Sequence, residues 1–145
     1  MPKSKGYSKK REGLRSLLNA PENCVHHGRL KKDSSNIVCS SYLIVEHDGC
    51  ITKGGCDAVA ICMERRKALL VEAKCGRIDE HDASDAVRQL SSCFEYYRDK
   101  LAGFHLIPIF LKEKGKRLES YARDKLIKKG INIEESGKDL SLIRY

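Results

Sequence analysis

The chain contains no apolar run approaching the roughly 18–20 residues that a membrane-spanning helix needs. Its first residues, Met1-Pro2-Lys3-Ser4-Lys5, are followed by no apolar segment of the kind that follows the basic start of a secretory leader. A cytoplasmic protein with no membrane partner is therefore expected. There is no Cys-x-x-Cys pair, so a zinc ribbon lacks its ligands, and the seven cysteines are an odd number that suggests no disulfide framework. Buried reduced thiols are the expectation, with one or two disulfides as the alternative. No internal repeat and no low-complexity tract occurs, which excludes solenoids and biased linkers. What remains is a chain of 145 residues, 41% hydrophobic and 33% charged. That composition can bury one core but not two, so a single domain over residues 1–145 is expected, with residues 1–8 as a flexible basic arm.

Charge is unevenly distributed. Residues 1–32 carry a net +7, residues 33–111 a net −3, residues 112–129 a net +5 and residues 130–145 a net −1. Two basic flanks enclose an acidic centre. Basic flanks suit a polyanion and an acidic centre suits metal ions, although a solvated basic surface would give the same flanks.

The apolar periodicity predicts a mixed order of helices and strands. Lys9 to Asn19 reads as a basic helix, with Leu14, Leu17 and Leu18 on one side and Pro21 beyond its end. A loop with a basic tip at Arg29-Leu30-Lys31-Lys32 precedes a strand from Ile37 to Glu46. Turns follow at His47-Asp48-Gly49 and Thr52-Lys53-Gly54-Gly55. Cys56 to Met63 and Ala68 to Lys74 read as an antiparallel hairpin joined through Glu64-Arg65-Arg66-Lys67. A helix is predicted from Ala83 to Leu101, its core stripe being Val87, Leu90, Phe94, Tyr97 and Leu101. Phe104 to Leu111 reads as a buried strand. Lys116 to Lys129 reads as a second helix with Leu118, Tyr121, Ala122 and Leu126 inward and Gly130 at its cap. Ile131 to Glu134 and Leu140 to Arg144 would be short closing strands. The class is α/β, with helices flanking a mixed sheet.

The chemistry gathers on the hairpin. Asp57 opens one strand, and Glu72 and Lys74, two residues apart and so on one face, close the other. With the turn centred between Arg65 and Arg66, Asp57 is expected opposite Lys74 and one diagonal from Glu72. These charges interrupt otherwise apolar strands. Charge at a half-buried strand end is costly unless it is paired or binds metal. Carboxylate oxygens are what Mg²⁺ or Mn²⁺ prefer. A cross-strand ion pair between Asp57 and Lys74 would satisfy the same pattern without a ligand. His26-His27 beside Cys24 has no second paired cluster to complete a zinc site, so loop histidines are expected. Cys75 reads as a bystander thiol.

Asp57, then Leu69-Leu70-Val71 running into Glu72-Ala73-Lys74, resembles the PD-(D/E)XK nuclease superfamily. The following helix carries Gln89 in its second turn, with Asp85 four residues before it. Lys5-Gly6 followed by Glu12 is similar to the opening of small archaeal Holliday junction resolvases. The likeness covers about Lys5 to Leu111. Departures are Cys56 where many members have Pro, a longer spacing from Lys5-Gly6 to Glu12, and Cys93 where RecB-like exonucleases carry Tyr.

The resemblance implies a restriction-endonuclease-like αβββαβ core with a mixed central sheet. It implies a metal-dependent endonuclease hydrolysing DNA phosphodiester bonds, with no small-molecule cofactor. A chain of 145 residues leaves no separate module to read base edges, so selectivity for branched or distorted DNA is expected, and one site per chain calls for a homodimer. Asp57, Glu72, Lys74 and Gln89 would be catalytic. Mg²⁺, with Mn²⁺ able to substitute, would be held by Asp57, Glu72 and the backbone carbonyl of Ala73. Glu12 would join them, with Glu22 and Glu46 as rivals. Lys3, Lys5, Lys9, Lys10, Arg11, Arg15, Arg29, Lys31 and Lys32 would contact DNA. The alternatives are a catalytically inactive nucleic-acid-binding or assembly protein on the same fold, and a RecB-like exonuclease.

Overall fold

The computed structural model describes residue 18, residues 24–28 and residues 42–135. The expected first helix, apart from the helical and buried Leu18, lies outside the described residues, as do the basic loop tip, residues 37–41 and the Leu140–Arg144 strand. Among the described residues six strands form one sheet in chain order: β1 (Val25–Gly28), β2 (Tyr42–Glu46), β3 (Ala58–Cys62), β4 (Lys67–Lys74), β5 (His105–Lys112) and β6 (Asn132–Glu135). The first four pair antiparallel, whereas β4–β5 and β5–β6 are parallel. Each parallel step needs a crossover. Helix α1 (Glu80–Lys100) supplies the first and helix α2 (Ser120–Lys128) the second. The architecture is the mixed α/β sheet flanked by helices that the sequence predicts.

Strand periodicity sorts the sheet into two apolar faces. Val45, Val59, Ile61, Leu70 and Phe110 pack with Ala83, Ala86, Leu90, Cys93 and Tyr97 of α1 and with Ala122 and Leu126 of α2. Ala60, Cys62, Leu69, Val71, Ile107 and Ile109 form the other face. Even-numbered residues of β4 and β5 therefore look toward the helices.

Four expectations need correction. The hairpin register runs from Ala58↔Val71 to Cys62↔Lys67, two residues away from the predicted pairing. The turn is Met63-Glu64-Arg65-Arg66, with Arg66 in the left-handed region at φ 51°. A two-residue shift leaves every side chain on its predicted face. The buried seam of α1 is Ala83, Ala86, Leu90, Cys93 and Tyr97, turned away from the expected stripe, and Phe94 is exposed. Small Ala83, Ala86 and Cys93 let the helix approach the sheet closely. Likewise Tyr121 of α2 faces solvent. Helix α1 also starts three residues early, because Asp79 and Asp82 cap it reciprocally: the Asp82 amide donates to Asp79 at 2.9 Å and the Asp79 amide to Asp82 at 3.1 Å.

The cysteines are the largest departure. Cys24–Cys50 and Cys56–Cys93 are disulfides, Cys62 is also disulfide-bonded, and Cys75 is a free, exposed thiol. Spacing carries no information on pairing across 26 or 37 residues, so the sequence points to reduced thiols instead. Cys56–Cys93 ties the entry of β3 to α1. Closing a loop of 37 residues stabilises the fold by about 4 kcal/mol in the chain-entropy picture. Replacing both partners by Ala should therefore lower unfolding free energy by about 2–4 kcal/mol in urea titrations without reductant. An unchanged midpoint would show that packing alone holds α1 to the sheet.

Candidate active site

The site lies where β4 ends. Glu72 continues the helix-facing series Ala68, Leu70, and is only 4% exposed, so an apolar layer receives a carboxyl group. Lys74 follows on the same face, half-buried. Asp57, exposed and just ahead of β3, is fastened to β4 at two points. Its amide donates to the Val71 carbonyl at 3.0 Å, and its Oδ2 accepts from the Ala73 amide at 2.8 Å. Asp57 therefore brackets Glu72 instead of standing opposite Lys74, as the corrected register requires. The N–H and C=O of one extended residue leave on the same side. The Ala73 carbonyl is thus turned toward the edge that Asp57 occupies.

A brace stands behind Asp57. His47 is buried, and its amide donates to the Asp57 carbonyl at 3.0 Å. The His47 ring is held at both nitrogens, Nδ1 2.8 Å from the Tyr97 hydroxyl and Nε2 3.0 Å from Thr52 Oγ1. Tyr96 and Tyr97 pack on it. Burial lowers the imidazole pKa, and Asp48 only partly opposes this. Gly55 makes room for the ring: a Cβ there would sit 2.8 Å from Nε2, and its φ of +85° suits glycine. Neither the brace nor the Cys56–Cys93 bond beside it is visible as a pattern in the sequence.

The electrostatics follow from this packing. Burial first, and then the Asp57 carboxylate, push the Glu72 pKa up to about 8, while the Lys74 ammonium pulls it down. Glu72 Oε1 is buried without a hydrogen-bond partner. So is Gln89 Oε1 on α1, the helix packed over this face of β4. Asp85, one turn earlier, is engaged by Arg88 at 2.9 Å and His81 at 3.5 Å. Glu46 projects from the opposite face, because it is paired with Ala58, which in turn pairs with Val71 of the other apolar face. Glu12, Glu22, Lys3, Lys5, Lys9, Lys10, Arg11, Arg15, Arg29, Lys31 and Lys32 lie outside the described residues. Among the described residues no three His, Cys, Asp or Glu side chains gather into a ready metal centre. Two carboxylates of which one has an orphaned oxygen, with a carbonyl turned to the same edge, nevertheless form an oxygen donor set that fits a hard divalent cation.

One further basic residue belongs to this edge, and the sequence pattern does not single it out. Lys112 pairs with Lys74 across the parallel β4–β5 ladder and is buried. Its ammonium donates to the carbonyls of Lys116 at 2.9 Å and Glu113 at 3.2 Å. The parallel register that brings the two lysines together is not readable locally. The only signal is a lysine closing the apolar run of β5.

No family model and no curated protein matches this chain. A solved structure of an EndoMS–dsDNA2 complex aligns with 88% of this chain and 43% of its own, at 17% identity and a TM-score of 0.41. The present chain thus spans less than half the length of that protein. No helix among the described residues is long and apolar enough to cross a membrane.

A carboxyl more easily protonated in the fold than in the unfolded chain stabilises least when ionised. The Glu72 contribution is fully present below about pH 4.5 and is lost as pH rises through about 8. In metal-free buffer at pH 8.5, Glu72→Gln should be more stable than the natural protein by an amount on the order of a few kcal/mol, and the gap should close by pH 5. Asp57→Asn should lower the Glu72 pKa and Lys74→Ala should raise it, as read by carboxyl ¹³C NMR titration. A Glu72 that titrates near its ordinary value would refute the burial argument.

Proposed function

We propose that the chain is a metal-dependent endonuclease of the PD-(D/E)XK type that hydrolyses DNA phosphodiester bonds. The observation that carries this reading is Glu72. A carboxyl group is buried at a strand end, one of its oxygens has no partner, and a second carboxylate stands beside it. Such an arrangement is costly as architecture and suited to binding a cation.

Asp57, Glu72 and the Ala73 carbonyl would hold Mg²⁺, or Mn²⁺ in its place. When bound, the metal supplies positive charge against a phosphoryl oxygen and acidifies water. Glu72 would have to ionise to hold a cation, and below about pH 8 it would give up its proton in doing so. Lys74 orients the attacking water and offsets charge accumulating on the phosphoryl group. Gln89 offers Oε1 as an acceptor for a water or substrate proton. His47 holds the Asp57 backbone in place and does not touch substrate. One site cuts one strand, so paired cuts in branched or distorted DNA call for a two-fold homodimer.

Asp57→Asn, Glu72→Gln and Lys74→Ala should each reduce nicking of supercoiled plasmid by about 10²-fold or more, while duplex binding in EDTA persists. Gln89→Ala should lose less. Natural-rate nicking by Glu72→Gln, or nicking that continues in EDTA, would overturn the assignment. Binding without any nicking in Mg²⁺ or Mn²⁺ would instead favour an inactive nucleic-acid-binding protein.

A further inference from the structure

The parallel strands β4 and β5 end at the same edge of the sheet, and open α/β sheets place ligands outside the carboxyl ends of their strands. Glu72 and Lys74 close β4 there, and Lys112 closes β5 beside them. The chain leaves β5 through a turn, Glu113–Arg117, that is fixed from several directions. The buried Lys112 ammonium binds the Glu113 and Lys116 carbonyls. The Lys116 amide donates to the Glu113 carbonyl at 3.2 Å. The Glu113 carboxylate accepts from the Gly76 amide at 2.8 Å, and the Ile78 amide donates to the Arg117 carbonyl at 2.9 Å. The turn is therefore docked onto the segment that leaves β4, within a few residues of Lys74.

Its charge is one-sided. Lys114, Lys116 and Arg117 are exposed, and among the described residues none of them has an ion pair or side-chain hydrogen bond. The turn's only acid, Glu113, is committed to Gly76. Elsewhere Arg77, Arg88, Arg98 and Lys125 stand against carboxylates. Three cations fixed together repel one another, and burying an ammonium to brace their turn is a further cost. A row of phosphates would offset the repulsion among the three exposed cations.

We infer that Lys114, Lys116 and Arg117 form a phosphate clamp that holds the nucleic-acid backbone next to the Asp57–Glu72 site. The inference rests on the nuclease reading and extends it to how substrate is gripped, using residues separate from the N-terminal basic arm. The clamp touches phosphates and not base edges, so it positions the strand without reading sequence.

The test uses fluorescence anisotropy of a labelled DNA duplex in EDTA over a KCl series. The proteins are the natural chain, the combined Lys114→Ala, Lys116→Ala and Arg117→Ala variant, and a control with the same change in charge. The control carries Arg65→Ala, Lys128→Ala and Lys129→Ala. Arg65 lies in the turn at the other end of β4, and Lys128 and Lys129 at the far end of α2. The clamp variant should bind at least about 10-fold more weakly, with a salt slope smaller by about 0.9 for each phosphate that it no longer neutralises. The control should keep the natural slope. Lys114→Glu alone should weaken binding in the same direction and serves if the triple variant does not fold. An unchanged slope and affinity in the clamp variants, with natural nicking intact, would overturn the clamp and leave the nuclease standing. Equal weakening in clamp and control would assign binding to net charge and also overturn it. A natural protein that neither binds nor nicks DNA would remove both readings.

Discussion

An ionisable carboxyl group placed in an apolar layer sets the terms for everything around it. Glu72 occupies a position that the alternation of β4 reserves for a hydrophobic side chain, between Leu70 and the helix-facing end of the strand. Water cannot reach it freely, and its nearest charged neighbour of like sign raises the cost of ionisation further. Such a group persists only if the fold is held together by other means. The disulfide-bonded positions on β3, the β2–β3 loop and α1, and the closely packed Ala83–Ala86–Leu90–Cys93–Tyr97 seam, supply that support.

The support is arranged in two layers around Asp57. Its carboxylate and amide are fastened to β4, which determines where the second acid stands relative to Glu72. Its carbonyl is fastened to His47, whose ring is in turn fixed by Thr52 and Tyr97. Cys56, the residue before Asp57, is bonded to α1 one helical turn beyond Gln89. The geometry of the acidic pair is thus over-determined by hydrogen bonds and a covalent link. A site that must hold charges close together needs this, since their mutual repulsion works to separate them.

How much of this is legible in the sequence depends on the range of the interactions involved. Alternation along β3 and β4 is local, so it puts Glu72 and Lys74 on one face even with the turn centred one residue late. Helix α2 ends where Gly130 indicates, because a left-handed residue after a helix is also a local signal. The seam of α1 is harder: hydrophobicity favours Phe94, while close approach to the sheet and a bond to Cys56 favour Cys93. Pairing of cysteines, the parallel register joining Lys74 to Lys112, and the His47 brace all link residues tens of positions apart. No local pattern in the sequence reports such pairings. Parity, by contrast, decides against Glu46 as a partner of Asp57 and Glu72, once the β2–β3 ladder is known.

The Cys56–Cys93 bond also governs the order in which the molecule comes apart. Thermal fluctuations open a protein in pieces, beginning with the parts that have the fewest buried neighbours. Here β6 and the end of α2 can fray while the bond still confines α1 to the entry of β3. Among the described residues, the amides around Asp57 and along the middle of α1 are then expected to exchange more slowly than those of β6. The acidic centre outlasts the periphery, and partial unfolding disarms it only when the sheet itself gives way.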